Sequence, residues 1–249
     1  MASQEFLSLC ESFYSVQGEG LSVGQPAVFL RLSGCNLRCN GFTYRDPHTH
    51  EHLGCDTKQL WREGRRTHLD VILPLWQTNG WLAHLNAGAH LVITGGEPVL
   101  QQGAVMHFLN RLDAACKNHI YLEMETNATL LLEPALLTRL DQINASPKLI
   151  HSGETREKAY NIEVLAQLAG TPKTVFKFVV AEPSDIEEII RDYVSPFAIN
   201  PRRIWLMPEG GTQESINQKK PWLVELCKQH CFNFTTRLHI DIWGEVVGV

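Results

Sequence analysis

Ala27-Val-Phe-Leu-Arg-Leu-Ser-Gly-Cys35-Asn-Leu-Arg-Cys39 runs from an apolar stretch straight into a loop with two cysteines, and Cys55-Asp56-Thr57 adds a third. Residues 27–32 read as a strand, so the thiols sit just past a strand end. Three thiolates with no obvious fourth is an informative number. A structural zinc site closes with four ligands, whereas a [4Fe–4S] cluster held by three cysteines keeps one iron free for a further ligand. Downstream, Val92-Ile-Thr94-Gly95-Gly96-Glu97-Pro98 forms a second loop after a second strand. Its two glycines bare the backbone, and the carboxylate that follows suits an amino group. The pair of loops implies an open iron facing an amino-acid-like ligand.

Working outward, the pattern from His90 onward alternates. Strands are expected near 90–94, 120–125, 142–146, 174–180, 203–207 and 234–240, with helices near 98–117, 133–140, 156–169, 184–194 and 214–230. Thr174-Val-Phe-Lys-Phe-Val-Val180 is the plainest strand, dense in β-branched and aromatic residues. Ser184-Asp-Ile-Glu-Glu opens like a capped helix. Such alternation builds βα units around a parallel sheet. With the strand at 27–32 there are seven candidates, one short of a full eight-unit barrel. The expected fold is therefore an incomplete (β/α)6-type, TIM-like barrel. Phe6–Tyr14 offers an extra N-terminal strand. Residues 67–87 are expected to be helical, interrupted at Pro74 and Asn79-Gly80. Residues 40–54 have no apolar period and read as an insertion in the cysteine loop, which spans 35–57.

The 249 residues, 44% hydrophobic, are enough for one domain of this size, and no linker or repeat divides them. A net charge of −5 argues against an extended nucleic-acid surface. No apolar run is long enough to span a bilayer, and the N-terminus lacks the basic flank and apolar segment of a signal peptide. Seven cysteines, an odd number, suit a reducing cytoplasm better than a disulfide framework.

Ligands of parallel α/β folds collect at the carboxyl ends of the strands. There lie Cys35, the Thr94-Gly-Gly-Glu-Pro loop, Glu125-Thr126-Asn127, Ser146-Pro147-Lys148 and Met207-Pro208-Glu209-Gly210, with His239 on the last strand. Cys10, Cys116, Cys227 and Cys231 read as buried structural thiols. His48, His50 and His52 alternate in a polar stretch that is either a solvated loop or, with a cysteine, a zinc site.

These motifs carry a resemblance. Cys-Asn-Leu-Arg-Cys with Cys-Asp-Thr, and Gly95-Gly-Glu-Pro98, resemble the cluster and methionine loops of the radical S-adenosylmethionine superfamily. Phe13-Tyr-Ser-Val-Gln-Gly-Glu-Gly20, Ala27 to Cys35, Cys55-Asp-Thr57 and His239-Ile-Asp-Ile-Trp-Gly244 resemble the 7-carboxy-7-deazaguanine synthases more narrowly. The likeness runs from residue 13 to near the C-terminus. Two features depart from the usual pattern: the insertion before Cys55, and a tail continuing past His239, in which Glu245 or the terminal carboxylate could reach substrate.

The resemblance implies a radical lyase that turns 6-carboxy-5,6,7,8-tetrahydropterin into 7-carboxy-7-deazaguanine with loss of ammonia, on the route to queuosine and other 7-deazapurines. It implies a [4Fe–4S] cluster on Cys35, Cys39 and Cys55, and S-adenosylmethionine held by Gly96 and Glu97. Ser146, Pro147, Lys148, Met207, Pro208, Glu209 and Gly210 would lie on the adenosine side. Val16, Gln17, Gly18 and Glu19 would meet the pterin edge, Arg31 the substrate carboxylate, and Thr94 and His239 the rest of that pocket. Glu19, Arg31 and His239 are the catalytic candidates, and Thr57 the protein ligand of Mg²⁺. A flavodoxin-like reductant and a homodimer are the implied partners. Another radical S-adenosylmethionine enzyme, such as an activase, and a zinc-binding scaffold are the competing readings.

Overall fold

The computed structural model describes residues 5–46, 49–244 and 246. Its strands are β1 (Phe6–Val16), β2 (Pro26–Leu32), β3 (Tyr44–Arg45), β4 (His52–Gly54), β5 (Arg65–His68), β6 (His90–Gly95), β7 (Leu122–Thr126), β8 (Gln142–Ala145), β9 (Thr174–Val180), β10 (Ile204–Pro208) and β11 (Asn233–Phe234). Nine of them form one sheet in the order β11-β10-β9-β8-β7-β6-β2-β1-β5. From β2 through β6 to β11 every pairing is parallel. β1 lies antiparallel on β2, and β5 antiparallel on β1. The two edge strands, β11 and β5, are not paired to each other, so the barrel stays open, as the strand count implied.

The helices cover one face because their apolar residues recur at helical spacing. Gln102–Ala115 buries Val105, Phe108, Leu109 and Leu112 in one stripe. Trp76, fully buried, packs edge-on to Phe108 at 5.3 Å and donates its indole N–H to Ser12 Oγ at 3.1 Å. An aromatic with a polar tip is at home there because both ends are satisfied. Along β9, Thr174 to Lys177 and Phe178 are all buried, which explains the near-continuous apolar run of an inner parallel strand.

Several boundaries differ from those expected. Residues 67–87 begin with strand β5 and continue as helices Leu69–Thr78 and Trp81–Asn86. Pro74 lies inside the first helix and does not end it; Gly80, at φ +77°, separates the two. The helix expected over 156–169 is split, because the Asn161 side chain accepts the N–H groups of Glu163 and Val164 and starts a new helix. At 184–194, Ser184 does not cap. The Asp185 carboxylate instead takes the N–H groups of Ala181 and Glu182, and the helix passes into a π-helical turn over Ile189–Val194. The insertion is not all loop: β3 and β4 pair antiparallel within it. The last expected strand shrinks to β11. Leu238 N–H donates to Gly18 O at 2.9 Å, which draws the chain off the sheet and into a short helix, Leu238–Trp243. His239 is therefore on a helix, not on a strand. Among the described residues no helix is long and apolar enough to cross a membrane.

Leu30 on β2 is fully buried in the main apolar cluster. Leu30→Ala is expected to lower the unfolding free energy by about 2–5 kcal/mol, read as an earlier midpoint in urea.

Candidate active site

A cavity of ≈ 320 Å³ opens at the carboxyl ends of the parallel strands, and Cys35, Cys39 and Cys55 all line it. The cysteine loop is pinned from several sides. Gly34 N–H donates to Trp61 O at 3.0 Å, Gly41 N–H to Ser152 O at 2.8 Å, and Cys39 N–H to Glu154 Oε1 at 2.7 Å. Cys39 takes a left-handed backbone, φ +48°. Burial pushes all three thiols up, Cys39 to about 12, while the Lys148 ammonium pulls each of them the other way. Among the described residues no three His, Cys, Asp or Glu side chains converge on one point as a single metal ion requires. Three cysteines lining one cavity are the donor type that an iron–sulfur cluster takes.

The double-glycine loop leans directly on this cysteine loop. Gly96 N–H donates to Leu32 O at 3.1 Å and Glu97 N–H to Gly34 O at 2.8 Å. Gly95 sits at φ +139°, and a Cβ on either glycine would collide with the backbone of Leu32 or Gly34. Glu97 is fully buried and turned away from the cavity wall. It accepts from Asn127 N–H at 2.7 Å, Thr126 Oγ1 at 2.9 Å and Val99 N–H at 3.1 Å. Burial still raises its pKa above the usual carboxylate range. The wall position beyond it belongs to Asn127, whose side chain donates to Asn36 Oδ1 at 2.8 Å. Ser146 and Lys148 line the cavity, joined by a 3.1 Å hydrogen bond, while Pro147 does not. Met207, Pro208, Glu209 and Gly210 also line it. Burial raises the Glu209 pKa, but Lys219 and Thr43 outweigh it and hold the carboxylate ionised.

Val16, Gln17, Gly18 and Glu19, with Arg31, Thr94 and His239, line the same cavity. Glu125 joins two of these: it accepts from Gln17 Nε2 at 3.2 Å and from Thr94 Oγ1 at 2.6 Å. Arg31 gives Nε to Glu11 at 2.8 Å and lies over the Phe13 ring, which stacks on Phe29 at 4.8 Å. Its two terminal nitrogens make no hydrogen bond to a described residue, so its bidentate edge is available. Glu19 is paired with Lys177 and with Arg237, and Arg237 pairs also with Asp56. Burial alone would raise the Glu19 pKa, but these two cations drive it far below the usual range. Thr57 also lines the cavity, its hydroxyl 3.3 Å from Cys55 Sγ.

All the candidate residues except Glu97 and Pro147 thus meet at one cavity. Sequence reasoning missed Lys177, Arg237, Asn144 and Trp61, which also line it. Lys177 had a signal, a lone charge at an inward position of an apolar strand. Asn144, on β8, and Arg237, two residues before His239, had none that stood apart from their neighbours. The histidines of the insertion do not gather. His52 is exposed and bonded to Phe42 O, His50 is exposed, and His48 lies outside the described residues. Glu245 and the C-terminal residue also lie outside them, but Gly244 and Val246 reach the cavity wall. Cys231 is exposed at the left-handed end of its helix, not buried as expected, whereas Cys227 is buried and bonded to Asn233 O.

No family model matches the chain. It is 31% identical over 248 residues to the 7-carboxy-7-deazaguanine synthase of Pyrobaculum aerophilum, a match covering 100% of both chains. It is 33% identical to the corresponding synthase of Halobacterium salinarum, covering 96% of this chain and 91% of that one. Among solved structures, that of QueE from Escherichia coli superposes with a TM-score of 0.62 at 20% identity. The superposition covers 94% of this chain and 95% of the other, a likeness of fold.

His239 gives this site a pH signature. Burial holds its pKa below the usual histidine range even with Glu19 nearby. The unfolded chain, with a histidine pKa of about 6.5, then binds the proton more readily than the native one. This contribution to stability is present above that value and is lost as pH falls through the lower folded pKa. His239→Gln is expected to flatten that part of the profile, measured as urea midpoints between pH 7 and pH 5.

Proposed function

Because the chain belongs to the family of 7-carboxy-7-deazaguanine synthases, we infer that it works as they do. It is a radical S-adenosylmethionine carbon–nitrogen lyase. It converts 6-carboxy-5,6,7,8-tetrahydropterin to 7-carboxy-7-deazaguanine with loss of ammonia, a step in making queuosine and related 7-deazapurines. One observation supports this above the others. The three cysteines, the double-glycine loop and the Gln17–Glu19 loop share a single cavity.

Cys35, Cys39 and Cys55 hold the [4Fe–4S] cluster, and the Gly96 backbone meets the amino-acid end of S-adenosylmethionine. When bound, the cluster and S-adenosylmethionine supply the one-electron and hydrogen-abstracting chemistry. The protein's part is placement and protection. Leu37 N–H, 3.4 Å from Cys35 Sγ, and the Thr57 hydroxyl beside Cys55 favour thiolate over thiol. Glu97 acts at one remove from the cavity, holding the 126–127 turn in place. Ser146 and Lys148, with Met207 to Gly210, form the adenosine side, and Pro147 lies between the first two without reaching the cavity.

Val16, Gln17, Gly18 and Thr94 present donors and acceptors to the pterin edge. Gln17 and Thr94 are held in register by Glu125. Arg31 takes the substrate carboxylate with the two nitrogens Glu11 leaves free. His239, kept neutral by burial, can both donate and accept. Glu19 stays ionised and offers an acceptor to the pterin N–H groups. Thr57, whose hydroxyl lines the cavity, would be the protein ligand of Mg²⁺, a hard cation that takes oxygen donors. Apolar walls from Phe13, Phe29 and Leu37 keep water from the reacting carbon.

The electron comes from a flavodoxin-like donor, in a cytoplasmic setting, to a chain that pairs as a homodimer. Support for the docking side comes from Trp61, a cavity-lining residue whose ring lies 5.7 Å from the Arg38 guanidinium and 5.8 Å from that of Arg62. Both arginines are exposed, and each offers a cation to an acidic partner.

The test is anaerobic reconstitution followed by turnover with S-adenosylmethionine, dithionite, Mg²⁺ and the pterin. The wild-type chain is expected to take up four irons and form 7-carboxy-7-deazaguanine. Cys35→Ala, Cys39→Ala and Cys55→Ala should each lose the cluster absorbance and all product, while Cys116→Ala keeps both. A Cys39→Ala protein with a full cluster would reassign that ligand. Arg62→Glu should slow flavodoxin-driven turnover about tenfold at low salt and leave dithionite-driven turnover unchanged.

A further inference from the structure

Arg237 lies just before the Leu238–Trp243 helix, and its guanidinium reaches three loops from three parts of the chain. Nε donates to Glu19 Oε1 at 3.0 Å, in the loop after β1. Nη1 donates to Gly210 O at 2.7 Å, in the loop after β10. Nη2 donates to Asp56 Oδ2, between Cys55 and Thr57. On the reading above, these are the pterin loop, the adenosine loop and the cysteine loop. Glu19 is shared with Lys177, so two carboxylates and two cations meet here with their charges balanced. The same short helix packs His239 against Gly18 so closely that a Cβ there would strike the imidazole.

We propose that Arg237 is a positioning residue. It fixes the pterin loop against the cysteine and adenosine loops, so that the cofactor's reactive carbon and the pterin C6 face each other at one spacing. The physical reason is geometric. A guanidinium carries donors in a rigid fork, and no other side chain serves three acceptors in three directions from one fixed plane. Without it, Asp56 keeps a carboxylate in the cavity wall with no counter-charge, and Glu19 keeps only Lys177. Both loops then relax independently. Hydrogen transfer suffers most, because misplacement by about 1 Å costs about a hundredfold in rate, while cofactor cleavage at the cluster needs only the cysteine and glycine loops.

The proposal rests on the lyase reading, and its experiment separates the two. Arg237→Gln and Arg237→Lys are reconstituted with iron and sulfide, then compared with wild type in two measurements. The first is the 5′-deoxyadenosine released per 7-carboxy-7-deazaguanine formed, expected to rise about tenfold or more in both variants at unchanged iron content. The second is hydrogen exchange in the reconstituted protein without substrate. Segments 15–25, 53–60 and 207–212 should all exchange faster in both variants. Lysine tests geometry against charge, since one ammonium restores the charge but cannot span the three loops. It also serves as the informative variant should the glutamine form fail to fold. Full recovery of the ratio by lysine would overturn the proposal. So would faster exchange confined to residues 235–244. If wild type itself makes no 7-carboxy-7-deazaguanine, the lyase reading fails, and the exchange data alone decide whether Arg237 holds the three loops together.

Discussion

The contact on which everything else depends is backbone against backbone. Glu97 N–H meets Gly34 O at 2.8 Å and Gly96 N–H meets Leu32 O at 3.1 Å, so the double-glycine loop lies flat on the cysteine loop. Only residues without Cβ atoms allow that approach. Parallel pairing of β2 with β6 sets it up, since Leu32 and Gly95 are register partners at the ends of adjacent strands. A thiol-bearing loop and a bared backbone are thereby brought to one wall of one cavity. Glu97 then serves as an internal brace, spending its carboxylate on Asn127, Thr126 and Val99.

Charge organises the remainder of the interior. Below the cavity, Glu123 is fully buried and accepts from His90 at 2.5 Å, Gln142 Nε2 at 3.2 Å and Asn144 Nδ2 at 3.1 Å. A buried carboxylate is tolerable only when its lone pairs are met, and here they are. Nearer the mouth, Glu19, Asp56, Lys177 and Arg237 form a second balanced group. Arg31 is half committed, to Glu11, and keeps a free edge. The cavity wall therefore carries the free edge of Arg31 and the Lys148 ammonium beside groups whose charges are already paired, which is how a small anionic ring compound can be held in a single orientation.

Much of this was legible in the sequence. The strand–helix alternation after residue 90, the extra strand at Phe6 and the open barrel all follow from apolar periodicity, which is a local property. The motif residues converge because strand ends share a rim in parallel folds. What escaped was decided by distant partners. Nothing near Leu238 announces that its N–H will bond Gly18 and replace a strand by a helix. Ser184 looks like a cap, yet its hydroxyl takes no helix N–H, and Asp185 folds back onto the N–H groups of Ala181 and Glu182. Arg65–His68 forms a strand because the exposed edge of β1 recruits it, not through its own polar composition. Arg237 is invisible for the same reason, since its three acceptors come from residues 19, 56 and 210.

The most direct measurement is an anaerobic single-turnover assay with deuterium at C6 of the pterin, read by mass spectrometry. The expected result is 7-carboxy-7-deazaguanine together with deuterium appearing in 5′-deoxyadenosine or in S-adenosylmethionine. Such transfer places the substrate carbon against the cofactor in the cavity that Cys35, Gly96 and Gln17 share. An intact cluster that cleaves S-adenosylmethionine yet leaves the label on the pterin would contradict it.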